Sequence, residues 1–338
     1  MIAEFSNRKK NIKRRLIFFL KLTLTVVLCS FIFWKVDWEN VWKALKSSNP
    51  ILLLIVFFCM IFCVTISAYK WQRLLLIHGI KFDFTKLHQY YFTALFFNNF
   101  LPSSIGGDTY RIFKTLNNPN SKVASFVAVF FERITGFWAL LVLGFISAII
   151  IFLQKHFIVP HLELIIGLFG LGVIVPAIAF LMSDSLRLLL QYKFIPEKIK
   201  KLPQLLNVYH MQGEDTMLVI FISFFFHIFT LFWMILLLRA IGTSCSVFSL
   251  VLAVSISNLV AVLPISLNGI GLMDGSFIFI MGLLGMNYEF SLVFMLINRL
   301  FTIIISLSGI FFYLSEKRSP DIQEFQPDQI KSLKKSIL

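Results

Sequence analysis

Apolar runs of about twenty residues, the length that crosses the hydrocarbon core of a bilayer, recur along this chain and leave few folds open to it. They lie at about 16 to 36, 51 to 69, 124 to 152, 161 to 182, 216 to 238 and 290 to 314. Of the 338 residues 58% are hydrophobic and 14% charged, with a mean hydropathy of +0.84. A soluble domain of this size could not hide that much apolar surface, so lipid solvates part of it and an all-α integral membrane protein is predicted. The formal charge of +14 sits between the apolar spans, where it sets topology and meets anionic headgroups; nucleic acid is not an expected partner.

Two further apolar regions are interrupted. Residues 87 to 107 are broken by Asn98, Asn99, Pro102, Gly106 and Gly107, and residues 247 to 286 by Pro264, Asn268, Gly269, Gly271 and Asp274. The interruptions resemble each other: NNFLPSSIGGDTYR at 98 to 111 and VLPISLNGIGLMDG at 262 to 275 both run Leu-Pro, small or polar residues, two close glycines and an Asp. Irregular backbone at membrane depth survives only where protein buries it or a wet cavity solvates it, so each region is predicted to be a re-entrant hairpin. Eight or nine simple spans are the alternative. With the hairpins and a cytoplasmic N-terminus, 23 Lys and Arg fall on inner segments against 4 on outer loops, a strong positive-inside bias.

The expected organisation is a basic cytoplasmic N-terminus (1 to 15), a first membrane repeat (16 to 152), a second (153 to 314) and a cytoplasmic tail (315 to 338). Every span and break of the first repeat runs opposite to its counterpart in the second, which predicts an inverted-topology repeat. The loop WENVWKALKSSN places Trp38, Val41, Trp42 and Leu45 on one face of a short interfacial helix.

Ionisable residues inside spans are costly and therefore functional candidates. Here they are Asp108, Arg111, Glu132 and Arg133 in the first repeat and Asp274 and Arg299 in the second, with Asn258, Asn268 and Asn298 as polar company. The segment GGDTYRIFK reads as a helix start at which Asp108 caps free amides and Arg111 grips an anion. Glu132 and Arg133 are adjacent, point about 100° apart and must answer different partners. For Asp274 and Arg299 an intramembrane ion pair is the competing reading, and for His227 a structural hydrogen bond. Cys29, Cys59, Cys63 and Cys245 form no disulfide framework or metal-ligand pattern, and no Walker loop, HExxH or Gly-x-Ser-x-Gly occurs. No metal, cofactor or catalytic residue is expected.

At these residues the chain resembles the lysylphosphatidylglycerol synthase transmembrane-region family, the flippase-like domain of the multiple-peptide-resistance lysyl-lipid synthases. The resemblance runs over about residues 15 to 315 and rests on Pro102, Gly106, Gly107, Asp108 and Arg111, then Glu132-Arg133, then Pro264, Gly269, Gly271 and Asp274, then Arg299. Asp274 stands where the family usually has glutamate, and Ser266 to Asn268 replace a glycine-rich approach. The cytosolic transferase domain of the full-length synthases has no counterpart in these 338 residues, so the resemblance implies the translocating half. It implies a standalone translocase in the cell membrane, whose substrate site joins Arg111, Arg133, Arg299, Asp108, Glu132, Asp274 and Asn298 in one polar cavity and binds phospholipid headgroups. An intramembrane transferase using Glu132 or Asp108 as base, and a non-transporting partner of a separately encoded lipid-modifying enzyme, are the alternatives.

Overall fold

The computed structural model describes residues 22–34 in part, 37–100, 106–116, 121–154, 160–181, 213–262, 266 and 269–317. Among them are α1 (Trp38–Lys46), α2 (Pro50–Ile77), α3 (Phe84–Phe100), α4 (Gly106–Lys114) and α5 (Ser121–Gln154). There follow α6 (Leu162–Leu181), α7 (Gly213–Ala240), α8 (Val247–Val262), α9 (Leu272–Leu283) and α10 (Tyr288–Lys317). The described residues contain no strand, and the protein is an all-α multi-pass membrane protein. The expected first span at 16 to 36 lies mostly outside the described residues.

Local chemistry starts the helices. Asp37 accepts the N–H groups of Glu39 and Asn40 to open α1, and Asn49 accepts those of Ile51 and Leu52 to open α2, with Pro50 at the first helical position. Among the described residues four helices, α2, α5, α7 and α10, are long and apolar enough to cross a membrane. The two interrupted regions are split where the glycines stand, into α3 with α4 and α8 with α9. At 1.5 Å per residue none of these four arms exceeds about 26 Å, short of the ~30 Å hydrocarbon core.

Within each broken region the two arms pack on one another, while α3 also packs on α10, α8 on α5, and α2 on α7. Small residues bring the first two of these pairs close. Gly144 of α5 faces Ser255 and Phe169, and Gly309 of α10 faces the backbone of Phe92 in α3. Each contact carries a side-chain hydroxyl bonded to the opposing helix: Ser255 Oγ donates to the Leu140 carbonyl (3.2 Å), and Thr93 Oγ1 to the Gly309 carbonyl (3.3 Å). A large core runs through α2, α5, α7, α8, α9 and α10, and a smaller one gathers Trp71, Leu74, Leu87, Val127 and Phe131. Outward stripes, such as Leu164, Leu168, Leu171, Val175 and Ile178 on α6, recur every three or four residues and are solvated by lipid.

The interfacial helix differs from its predicted face. Val41 and Ala44 are buried in α1, which packs on α10, whereas Trp38 and Trp42 are exposed. The inward stripe is thus the small, smooth one, and the indole rings are left for the headgroup layer.

A Cβ at residue 309 would collide with the Phe92 carbonyl, which is fixed backbone, whereas one at 144 meets side chains that can turn aside. Gly309→Ala is therefore expected to cost roughly 1–3 kcal/mol and Gly144→Ala less. Thermal melts in detergent micelles check this, and an unshifted midpoint for Gly309→Ala would contradict the α3–α10 packing.

Candidate functional site

The first ionic cluster is assembled where α4 begins. Asn98 Oδ1, from the end of α3, accepts the N–H of Gly107 at 2.8 Å, and Gly107 lies so close to the Ala94 carbonyl that a Cβ there would overlap it. This approach presents Asp108 and Arg111, one turn apart, to α5. Arg111 Nη1 donates to Glu132 Oε2 at 2.6 Å and Nη2 to Asp108 Oδ1 at 2.9 Å. The guanidinium also lies over the rings of Trp71 and Tyr91, 5.1 and 4.6 Å from their centroids. Tyr91 donates its hydroxyl to the other Glu132 oxygen at 2.8 Å. Arg133 points round the α5 surface from Glu132 and reaches Asp108 Oδ2 through Nε at 2.5 Å. The adjacent Glu132 and Arg133 thus answer different partners, as the helical geometry requires.

The cluster is enclosed except at one member. Arg111 is 3% exposed and Glu132 7%, while the Arg133 side chain is 55% exposed. Lys70 of α2, 5% exposed, closes the far side by donating from Nζ to the Glu132 carbonyl at 2.8 Å. One turn further along α5, His227 Nε2 meets the Gly136 carbonyl at 2.8 Å, and since a carbonyl only accepts, that nitrogen bears the proton.

The second cluster is simpler. Gly269 and Gly271 have φ of +74° and +78°, a turn that L side chains resist, and the turn delivers the chain into α9. Asp274 Oδ2 accepts the Gly271 N–H at 3.0 Å, so this aspartate does cap its helix. Arg299 Nη2 donates to both Asp274 oxygens at 2.9 Å. Twenty-five residues separate Asp274 from Arg299, as they do Asp108 from Arg133. By the same offset, Phe277 stands where the first cluster has Arg111, and Asn298 where it has Glu132. Phe277 stacks on Phe294, with centroids 5.1 Å apart.

The structure therefore brings Asp108, Arg111, Glu132 and Arg133 together and, separately, Asp274, Arg299 and the neighbouring Asn298. No hydrogen bond or ion pair among the described residues joins the two groups. Arg111, expected to grip an anion, is committed inside the protein, and Arg133 and Arg299 are the more exposed arginines. Asn258 donates to the Val254 carbonyl within its own helix. Pro102, Pro264 and Asn268 lie outside the described residues.

Three participants were missed in the sequence. Lys70 reads as the first loop lysine after a span, yet the buried positions 56, 60, 63, 66, 70, 74 and 77 continue one helical face past it, and that periodicity was the available signal. Tyr91 reads as one aromatic among many. Glu316, expected in the tail, ends α10 and receives Tyr110 Oη at 2.9 Å and Lys114 Nζ at 2.7 Å from α4.

Long apolar helices, two glycine-broken apolar segments and an Asp–Arg pair between each segment and a long helix define a multi-pass α-helical membrane protein with ionic groups held at depth. The family model of the lysylphosphatidylglycerol synthase TM region matches residues 18–309, and the chain belongs to that family. No individual curated protein matches it. Membership makes this a membrane protein linked to lipid modification and associated with membrane lipid.

Removing Arg111 leaves two buried carboxylates short of a cation, so Arg111→Met is expected to cost about 3–5 kcal/mol, whereas Arg133→Ala at the exposed rim costs about 1 kcal/mol or less. Thermal melts of the two variants check the order, and Arg111→Met with Glu132→Gln should recover part of the loss.

Proposed function

We propose that this chain is a standalone lipid translocase that moves a phospholipid or other lipid-linked substrate between leaflets. The observation that carries the reading is the Asp–Arg pair built twice, once in each half, on the arm that follows a glycine break. Arg133 and Arg299 are the headgroup contacts: each spends part of its guanidinium on an aspartate and keeps nitrogens for a phosphate. Glu132 has both oxygens occupied by Arg111 and Tyr91, which speaks against a transferase that uses it as base.

The two halves act as an inverted repeat. Support comes from contacts that recur in exchange, α3 on α10 and α8 on α5, each with a hydroxyl nine residues before its proline, Thr93 and Ser255. Arg133 lies twelve residues into α5 and Arg299 eleven into α10, so in antiparallel helices each pair sits about 16–18 Å from an opposite end. Headgroups would pass from one pair to the other as the halves rock. The family's link to lipid modification favours, as a second reading, a non-transporting partner of a separate lipid-modifying enzyme.

In proteoliposomes with labelled anionic phospholipid, the wild-type chain should expose inner-leaflet label to an external quencher, and Arg133→Ala with Arg299→Ala should slow this by about tenfold or more. No movement by the folded wild-type chain overturns the reading, and co-purification of a lipid-modifying enzyme with an inert chain establishes the second. In a cysteine-free background, Thr109→Cys and Ser276→Cys should label from opposite membrane faces; labelling of both from one face removes the inverted repeat.

A further inference from the structure

At the end of the bundle where α2 begins and α7 ends, α1 does not close fully onto α10. Its inner stripe, Val41 and Ala44, is buried, and the turn into α2 is held by the Asn49 N–H on the Ala240 carbonyl at 2.8 Å. Beside these contacts a cleft of about 400 Å³ stays open. Its polar lining is Asn40, Lys43 and Ser47 on the α1 side and Asn287 and Glu289 at the start of α10, with Ile241 and Phe290 as apolar neighbours. Neither Asp–Arg pair takes part in it.

The cleft holds opposite charges that do not satisfy each other. Lys43 and Glu289 line the same space, yet Lys43 Nζ turns back to Glu39 Oε1 at 2.7 Å, and Glu289 forms no ion pair among the described residues. A carboxylate in the first turn of α10 suits the helix dipole, but its capacity to accept hydrogen bonds is left unused. Asn40 donates Nδ2 to Asp37 Oδ2 at 2.9 Å, which leaves its amide oxygen able to accept. The ligand that fits therefore carries a cation rich in N–H donors and an anion on one small group. A primary ammonium brings three such donors, whereas a quaternary one has none and needs aromatic faces, of which the cleft has Phe290 alone. The exposed Trp38 and Trp42 set α1 in the headgroup layer, so the cleft opens where lipid headgroups lie.

We infer that this cleft binds one zwitterionic phospholipid headgroup of the phosphoethanolamine class, with its ammonium on Glu289 and its phosphate on Lys43. Asn287 and Asn40 supply amide oxygens to the remaining ammonium hydrogens. A headgroup held in this way bridges the two sides of the cleft and ties α1 to α10. The site is separate from the Asp–Arg pairs, and binding there is an equilibrium property that does not depend on whether the chain moves lipid.

The test titrates the purified full-length chain in detergent micelles with dihexanoylphosphatidylethanolamine, and with the phosphatidylcholine and phosphatidylglycerol of the same chain length, by calorimetry against protein-free micelles. The ethanolamine lipid should bind about tenfold or more tightly than either of the others, and equal affinity for the choline lipid overturns the ammonium contact. Glu289→Gln should weaken the ethanolamine lipid about tenfold and abolish its advantage over choline, whereas Lys43→Met should weaken both. Neither side chain is buried, so both variants should keep the wild-type thermal midpoint. No binding by the folded wild type, or binding undiminished in either variant, overturns the site. Binding lost in Arg133→Ala with Arg299→Ala but kept in Glu289→Gln assigns the lipid to the arginine pairs and overturns the cleft. O-phosphoethanolamine, titrated in parallel, should bind at least about tenfold more weakly, and equal affinity would mean a site for the free zwitterion and overturn the lipid assignment.

Discussion

A guanidinium held away from water must be matched on every side, and the placing of Arg111 organises the first half of the molecule around that requirement. Its two carboxylate partners come from its own short helix and from α5, its ring partners from α2 and α3. Four helices therefore meet at one planar group. Small residues make the meeting possible, since Gly107 lets α4 lie against the Ala94 carbonyl. The apolar side chains around it, Trp71, Leu87 and Phe131 among them, form a core distinct from the main one.

The second half keeps the outer pair and omits the inner one. Asp274 and Arg299 reproduce Asp108 and Arg133 at the same separation, but Phe277 on Phe294 replaces the Arg111–Glu132 contact with aromatic packing. The Asp–Arg pair at this separation is thus common to both halves and the Arg111–Glu132 contact is particular to the first.

Much of this was legible in the letters. The apolar runs, the two breaks and the divergence of Glu132 and Arg133 follow from length, glycine placement and helical geometry, while the pairing of Asp274 with Arg299 was one of two readings open there. What was not legible is which neighbour a polar group meets. Arg111 reads as free because nothing local says that Glu132, 21 residues on, will turn toward it. Glu316 reads as tail because its partner Lys114 is 202 residues away. Lys70 was hidden by the convention that a span ends at its first lysine, although the buried face of α2 runs on to Ile77.

The nine-residue helix α4 is tied to two long helices from different faces. Arg111 holds it to α5, while Tyr110 and Lys114 hold it to Glu316 at the end of α10. It is therefore a strut between the long helices α5 and α10. Any sliding of α5 relative to α10 must tear one set of bonds or carry the strut along.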